Sequence, residues 1–244
     1  MDAIADVTET TAWRWPAEPE TLRAAFQAAA PFSHLVIDDF LEPDALRRAY
    51  RDIPAARDPA WTHWGSGGQE NCRAEDAKRG IADTTALPRS IAAILEALNG
   101  PQMVREIERV TGIAGLVVDP TLWGGGLQVS GCGASLRVHA DRSRHPDAAR
   151  FDQAINLLLY LNPDWRPEFG GDLELWNADG SARIVSIAPL FDRLVLFKSD
   201  RTTFHGHPRP NRCPPGLYRA SLAVFYYVRR TDDGAVPINK VQWR

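Results

Sequence analysis

About nine short strand-like runs follow one another from residue 115 onward, and they restrict the possible folds more than any other feature. They are rich in branched and aromatic side chains and are separated by Gly, Pro and Asp turns. So many short strands at regular spacing favour a sandwich or a barrel. The runs are LVVDP (116–120), GLQVSG (126–131), SLRVHA (135–140), AINLLLYL (154–161), DLELWN (172–177), ARIVSIAP (182–189), RLVLFKS (193–199), TTFHGH (202–207) and YRASLAVFYYV (218–228).

The first 114 residues predict helices more often than strands. Prolines near the helix starts, and Asn99-Gly100 between the last two helices, are typical of helix boundaries. We therefore expect one domain over residues 1–244, with a mostly helical N-terminal support region at 1–114 and a β core at 115–244. The expected N-terminal elements are helices at 21–30, 42–51, 88–98 and 101–111, a strand at 32–41 and a loop at 54–80.

Composition restricts the partners and the compartment. A hydrophobic content of 44% and a charged content of 24% are typical of a globular protein. The net charge of -3 is too balanced to indicate a nucleic-acid or anionic-membrane partner, and no apolar run is long enough to predict a membrane span. Cys72, Cys132 and Cys213 are scattered and lack C-x-x-C spacing, and the N-terminus is acidic and polar. Together these features predict reduced thiols in a cytoplasmic protein.

His139-Ala140-Asp141 is the first part of a candidate metal site. It ends a strand-like run, so side chains 139 and 141 point to the same side of the chain. Two histidines and one carboxylate on one face can bind non-haem Fe(II) and leave adjacent coordination positions open. The third ligand would be His205 or His207, which alternate onto one side of their own run, whereas His145 is expected to be solvated. The alternative is a surface pair formed by chance, with the histidines serving as packing residues.

Arg219 lies in an otherwise apolar run, where an unpaired guanidinium would be costly to bury. It could reach a barrel rim or pair with a structural acid. It could also bind a ligand carboxylate through its two-pronged donor group, with Ser221 on the same strand face adding a hydrogen bond. Tyr160 faces inward from its run and could donate to the same carboxylate, and core packing is its alternative.

The stretch from Leu127 to Tyr227 resembles the 2-oxoglutarate/Fe(II)-dependent oxygenases, specifically the prolyl-hydroxylase-like branch with the hypoxia-inducible-factor prolyl hydroxylases. The resemblance implies a double-stranded β-helix (jelly roll, cupin-like) core, supported by the N-terminal helices within a single catalytic domain. HLVIDDFLEPDAL (34–46) is also similar to the opening of many bacterial members. The matching blocks are His139-Ala140-Asp141, YLNPDW (160–165), FGGDLELW (169–176), IAPLFDRLVLFKSDRTTFHG (187–206) and YRASLAVFYY (218–227).

The resemblance also implies roles for individual residues. Fe(II) would be bound by His139, Asp141 and His205, since His205 follows the Ser199-Asp200 stretch at the family's spacing, and His207 falls where an apolar residue is common. The distal carboxylate of 2-oxoglutarate would bind Arg219, with Tyr160 and Ser221 assisting. Gln128 or Ser130 would stand in place of a tyrosine that often precedes the His-x-Asp motif.

The implied reaction is hydroxylation with Fe(II), O2 and 2-oxoglutarate, which is converted to succinate and CO2. The substrate would be a small molecule, an amino-acid derivative or a peptidyl residue, and the oligomeric state is left open. A catalytically silent jelly-roll module that binds metal or ligand is the alternative function. Substrate contacts are expected from loops at the barrel mouth, namely Trp61, Trp64, Trp123 and Arg142, although tryptophans also pack and arginines also lie on solvated faces.

Overall fold

A computed structural model describes residues 12–63, 78–141, 145, 151–229 and 241–244. Helices lie in the N-terminal part and antiparallel strands make up most of the rest. The helices are α1 (Pro19–Ala28), α2 (Pro43–Arg51), α3 (Arg89–Leu98) and α4 (Pro101–Thr111). The strands are β1 (His34–Ile37), β2 (Thr62–His63), β3 (Arg79–Ile81), β4 (Leu116–Val118), β5 (Gly126–Ser130), β6 (Leu136–Ala140), β7 (Phe151–Tyr160), β8 (Leu173–Trp176), β9 (Arg183–Ile187), β10 (Leu194–Lys198), β11 (His205–His207), β12 (Arg219–Arg229) and β13 (Gln242–Trp243).

Each of the nine predicted strand-like runs contains a strand, and each predicted helix is present within a few residues of its expected bounds. Proline occupies an early helical position in α1, α2 and α4, where its missing N–H costs no hydrogen bond. Helix α4 ends at Gly112, whose left-handed backbone (φ 76°) terminates the helix. The described helices are too short and too polar for any of them to cross a bilayer.

Two antiparallel sheets pack face to face in the double-stranded β-helix that was expected. The major sheet runs in the order β1-β10-β7-β12-β5-β3-β2, with β4 also paired to β12, and the minor sheet runs β13-β6-β11-β8-β9. Side chains of both sheets, among them Tyr160, Leu173 and Phe197, form an apolar cluster between them. That the whole chain is one catalytic domain stays a prediction.

Alternation along the strands of the major sheet gives it two different faces. On β12, Leu222, Val224 and Tyr226 join the core that contains the helices, and the Tyr226 hydroxyl donates to the Leu98 carbonyl at the end of α3. Residues at the odd-numbered positions, Arg219, Ser221 and Phe225, line the cavity between the two sheets. The helices therefore cover the outer face and leave the inner face to the site.

The expected loop at 54–80 is partly wrong, because it contains β2 and begins β3. These short strands extend the major sheet through pairing of Arg79 with Val129 and of Gly80 with Gln128. Strand β13 was not predicted either, and it pairs with β6 so that Trp243 lies opposite His139. No apolar run marks β2, β3 or β13 in the sequence, so these strands are defined by their pairing with other strands.

Candidate metal centre

His139, Asp141 and His205, here called the metal triad, converge on the minor sheet. His139 on β6 and His205 on β11 are directly opposite in an antiparallel pair, and Asp141 follows β6 immediately. One ligand atom from each of the three lies within 4.8 Å of the other two. The Asp141 carboxylate lies 3.3 Å from His139 Nε2 and 3.6 Å from His205 Nε2. The structure therefore brings His205 beside two residues that lie more than sixty positions earlier in the chain.

Backbone contacts orient the two imidazole rings toward a shared point. His139 Nδ1 lies 2.8 Å from the Arg137 carbonyl, and His205 Nδ1 lies 3.0 Å from the Thr203 carbonyl. A carbonyl only accepts, so each Nδ1 carries the proton and each Nε2 lone pair faces Asp141. Such contacts fix the tautomer and ring orientation that metal ligation requires.

Two amides hold the Asp141 carboxylate in place, and sequence reasoning missed both. Asn156 Nδ2 donates to Asp141 Oδ2 at 2.6 Å and Gln153 Nε2 donates at 3.2 Å, while Gln153 also donates to Asn156 Oδ1. Their polar side chains in the otherwise apolar run of β7 were the available signal. Both amides point their donors at the carboxylate, so they favour its ionised form.

Electrostatics keep the triad in the protonation state that binds metal. Burial alone would raise the pKa of Asp141, but the neighbouring His205 and His139 and the hydrogen bond from Asn156 together hold it below its usual value. Burial lowers the pKa of His205 to about 4, against the opposing effect of Asp141. At neutral pH the triad thus presents a carboxylate and a neutral His205, and metal binding requires deprotonated ligands.

The donor set fits a divalent transition metal. Bonds of about 2.1 Å, typical of imidazole and carboxylate ligands, place neighbouring ligands about 3 Å apart, which is close to the separations observed here. Two histidines and one carboxylate on one side are the ligand set of non-haem Fe(II) centres, and they leave the opposite side free for a cosubstrate and O2. The residues present therefore fit Fe(II).

Arg219 faces the metal triad from the first position of β12. Its Nε donates to the Gly171 carbonyl at 2.6 Å, and its Nη2 donates to the Tyr160 hydroxyl at 3.0 Å. Gly171 has a left-handed backbone (φ 73°), and a Cβ there would lie 2.7 Å from Asn211 Oδ1 and 3.0 Å from Arg219 Cδ. Only glycine allows this close approach. The guanidinium is therefore buried but held by neutral acceptors, so a structural acid is not its partner among the described residues.

The other predicted cosubstrate contacts lie around this guanidinium. Ser221 and Gln128 are opposite one another on β12 and β5 and both line the cavity, with the Gln128 amide donating to the Gly124 carbonyl. Ser130 also lines it and accepts from Asn211 Nδ2 at 3.2 Å. Tyr160 does not line the cavity. It is fully buried and positions Arg219 instead.

A cavity of about 180 Å³ connects the metal triad with Arg219. Its apolar walls include Leu158, Leu173 and Phe197, and the Phe197 ring packs on His205 with the ring centres 4.7 Å apart. Two basic side chains that the sequence did not assign also line it, Lys78 and His207. Burial and the charge of Arg219 lower the pKa of Lys78 to about 8, although Asp141 opposes the shift.

The expected substrate contacts have mixed outcomes. Trp123 is 40% exposed and lines the cavity, as a residue at its mouth would. Trp61 is absent from the cavity lining. It is buried, donates to the Ala55 carbonyl and packs on the Arg79 guanidinium, which is 4.9 Å from its ring centre. Trp64 and Arg142 lie outside the described residues.

The expectation that His145 is solvated is wrong. The side chain is buried, with Nε2 3.1 Å from an Asp119 carboxylate oxygen. Its ring packs edge-on against Trp123 and Tyr227, with ring centres 6.2 and 5.4 Å away. Its polar contact, Asp119, lies more than twenty residues earlier in the chain. The polar residues next to His145 in the sequence therefore gave no sign that it is buried.

Two curated proteins are similar to part of the chain. Over 85 residues, the chain is 32% identical to human Egl nine homolog 1 and 31% identical to human prolyl hydroxylase EGLN3. The matched segment is 34% of this chain, and it is 19% of the first relative and 34% of the second. The chain thus spans about a third or less of the length of these curated relatives.

Solved structures share the fold. A prolyl-4-hydroxylase from Pseudomonas putida has a TM-score of 0.56 at 20% identity, with 86% of this chain and 99% of that chain covered. A prolyl hydroxylase from Trichoplax adhaerens, in complex with a hypoxia inducible factor oxygen degradation domain peptide fragment, has a TM-score of 0.52 at 20% identity, with 86% and 90% covered.

Residues 125–227 match the 2OG-Fe(II) oxygenase superfamily. This range contains the metal triad and Arg219, the two features that the cavity joins. With the double-stranded β-helix around them, these features make this part of the chain similar to the 2OG-Fe(II) oxygenases, prolyl hydroxylases among them.

Proposed function

We propose that this chain is an Fe(II)- and 2-oxoglutarate-dependent dioxygenase that hydroxylates an unactivated C–H bond. The observation that carries the proposal is one cavity lined by both the metal triad and a buried Arg219. The family match over 125–227 supports the same reaction class. Because Asp141 supplies a carboxylate ligand, the site favours hydroxylation over halogenation, for which related enzymes have a small residue at that position.

Different side chains of the cavity would bind the metal and the cosubstrate. His139, Asp141 and His205 would hold Fe(II) from the minor sheet, and Arg219 would bind the distal carboxylate of 2-oxoglutarate from the major sheet. When bound, Fe(II) would couple the conversion of 2-oxoglutarate and O2 to succinate and CO2 with hydroxylation of the substrate. Apolar wall residues such as Leu158 would limit the access of water to the metal triad and Arg219, and so would the burial of the triad.

For the substrate we propose a chemical class. Relatives that resemble the chain are named prolyl hydroxylases, and one was solved with a bound peptide fragment. For this chain the proposed substrate is a peptidyl residue, an amino-acid derivative or a small molecule. It would enter the cavity past Trp123, which is exposed and lines the cavity. Nucleic acid is not among the proposed partners, since the net charge is -3. A cytoplasmic location also belongs to the proposal, supported by three scattered cysteines, an odd number that suits reduced thiols better than a disulfide framework.

A catalytically silent jelly-roll module is the competing function, and turnover of the cosubstrate separates the two. The purified chain is supplied with Fe(II), 2-oxoglutarate and O2, and succinate is measured. Under anaerobic conditions, Fe(II) plus 2-oxoglutarate should also give a weak visible charge-transfer band. Both signals should be lost in Asp141→Ala and retained in Asp179→Ala, which removes a carboxylate from an exposed turn.

One result would contradict the proposed activity. A wild-type chain that binds Fe(II) but neither gives the band nor forms succinate is a silent module. If succinate forms, mass spectrometry of candidate substrates for the gain of one oxygen identifies the molecule that is hydroxylated.

A further inference from the structure

His207 is a polar side chain with unused hydrogen-bonding capacity in the cavity. It is only 4% exposed, it lines the cavity, and its Nδ1 has no hydrogen-bond partner among the described residues. A neutral imidazole has one donor and one acceptor, and leaving such a group unsatisfied in a buried site is costly. Nδ1 itself is inaccessible, so a ligand in the cavity would meet the other ring nitrogen, Nε2, and could accept a hydrogen bond from it.

The place of His207 along β11 indicates which part of a ligand it meets. It lies two residues beyond His205, or about 7 Å along the strand. Leu136 on β6 is its partner in the sheet, and both residues line the cavity. On the other side of β11, His205 is opposite Leu175 and Gly206 is opposite Glu174, so the chain of β8 leads back from there toward Gly171, whose carbonyl accepts from Arg219 Nε. His207 therefore lies on the Arg219 side of His205.

Lys78 reaches the same end from the major sheet. Arg79, the first residue of β3, pairs with Val129 on β5. Continuing that register by one residue sets Lys78 opposite Ser130. Ser130 in turn pairs with Arg219 on β12. Lys78, Ser130 and Arg219 thus form one cross-strand row, and all three line the cavity, whereas Arg79 points to the other face.

The Arg219 guanidinium has a donor left over for this end of the cavity. Nε and Nη2 donate to Gly171 and Tyr160, and Nη1 makes no hydrogen bond with the described residues. Lys78 interacts electrostatically with Arg219, and also with Asp141 across the cavity. A carboxylate placed between Lys78 and Arg219 would be attracted by both cations and could accept from Nη1.

We propose that Lys78 and His207 form, together with Arg219, a three-donor site for the distal carboxylate of the 2-oxo acid cosubstrate. This inference rests on the proposed function and names two binding residues beyond the arginine. A carboxylate has about four lone-pair positions, enough for one donor from each side chain. The site differs from one with a lone arginine because two donors remain when any one is removed.

Binding of 2-oxo acids without turnover tests this site. The full-length chain is loaded with Zn(II), which does not support oxidation, and the dissociation constants of 2-oxoglutarate and 2-oxobutyrate are measured by calorimetry. 2-Oxobutyrate keeps the C1 carboxylate and the keto group but lacks the distal carboxylate. The ratio of the two affinities therefore reports on the distal site alone.

Lys78→Met should weaken 2-oxoglutarate binding about 10- to 100-fold, and His207→Leu about 3- to 10-fold, as expected for charged and neutral donors. Neither variant should change the binding of 2-oxobutyrate by more than about twofold. His207→Gln, which places an amide near Nε2, should recover part of the loss. Matched controls are Lys198→Met, a half-exposed lysine paired with Asp200, and His34→Leu on β1, and both should bind 2-oxoglutarate like the wild type.

Each departure from these results has a distinct meaning. If Lys78→Met and His207→Leu are folded by circular dichroism and bind 2-oxoglutarate like the wild type, the three-donor site is refuted. Equal losses for 2-oxoglutarate and 2-oxobutyrate would place these residues at the C1 end and would also refute it. A wild-type chain that binds Zn(II) but neither 2-oxo acid would overturn the proposed function itself, and this inference with it.

Discussion

Replacement of Asn156 by leucine should weaken metal binding although Asn156 is not a proposed ligand. Its amide donates to Asp141 Oδ2 at 2.6 Å, and the residue is only 2% exposed. A buried hydrogen bond to a charged group contributes about 1.5–3 kcal/mol, and loss of an outer partner of a ligand typically costs about 10- to 100-fold in metal affinity. We expect Asn156→Leu to bind Zn(II) or Mn(II) about 10- to 100-fold more weakly than the wild type.

The geometry also predicts the order of effects among neighbouring variants. Gln153 donates to the same oxygen at a longer 3.2 Å, so Gln153→Leu should cost less than Asn156→Leu. Gln128→Leu is the matched control, because Gln128 lines the same cavity but donates to the Gly124 carbonyl. It should leave metal affinity unchanged.

Calorimetric titration at neutral pH with a competing chelator measures these affinities, and circular dichroism of the metal-free variants checks that they fold. Metal affinity within about twofold of the wild type for a folded Asn156→Leu would refute the idea that this amide orients the ligand. A similar loss in Gln128→Leu would mean that cavity polarity, and not orientation of Asp141, governs the affinity.

Three further predictions follow from the contacts around the site. Arg219→Met should weaken 2-oxoglutarate binding about 30-fold or more, measured by calorimetry, while Zn(II) affinity stays within about threefold. Gly171→Ala should lower the stability by about 1–2 kcal/mol in urea unfolding, because its backbone is left-handed and a Cβ would collide with Asn211. Burial raises the pKa of Asp192 to about 6 from 3.8, so the folded state holds the proton more tightly and stability falls as the pH rises from about 4 to 6. Asp192→Asn should remove this slope and gain about 1–2 kcal/mol at pH 7, and equal urea midpoints for the two proteins at pH 7 would contradict it.

The strands and helices could be predicted because their patterns are local. The nearly continuous apolar runs of β7 and β12, and the prolines and glycines at helix ends, are visible in short stretches of sequence. The inward direction of Tyr160 is confirmed by its place between the two sheets. By contrast, β2, β3 and β13 exist only through pairing with strands distant in sequence.

The contacts that complete the site could not be predicted, for the same reason. Lys78 looks like a solvated lysine in a polar stretch until the pairing of β3 with β5 brings it into one row with Arg219. Asn156 looks like an isolated polar residue in an apolar run until β6 places Asp141 beside it. Each depends on which strands become neighbours, and the sequence patterns did not specify that order.

Strand β12 ties the stability of the fold to the geometry of the site. Leu222, Val224 and Tyr226 pack toward the helices, while Arg219 and Ser221 face the cavity. A shift of pairing by one residue would turn the whole apolar set toward the cavity and expose the arginine to the helical core. The cost of burying a guanidinium among apolar helices excludes that register strongly. The same arginine that would bind the cosubstrate therefore also helps to specify the register of the strand that carries it.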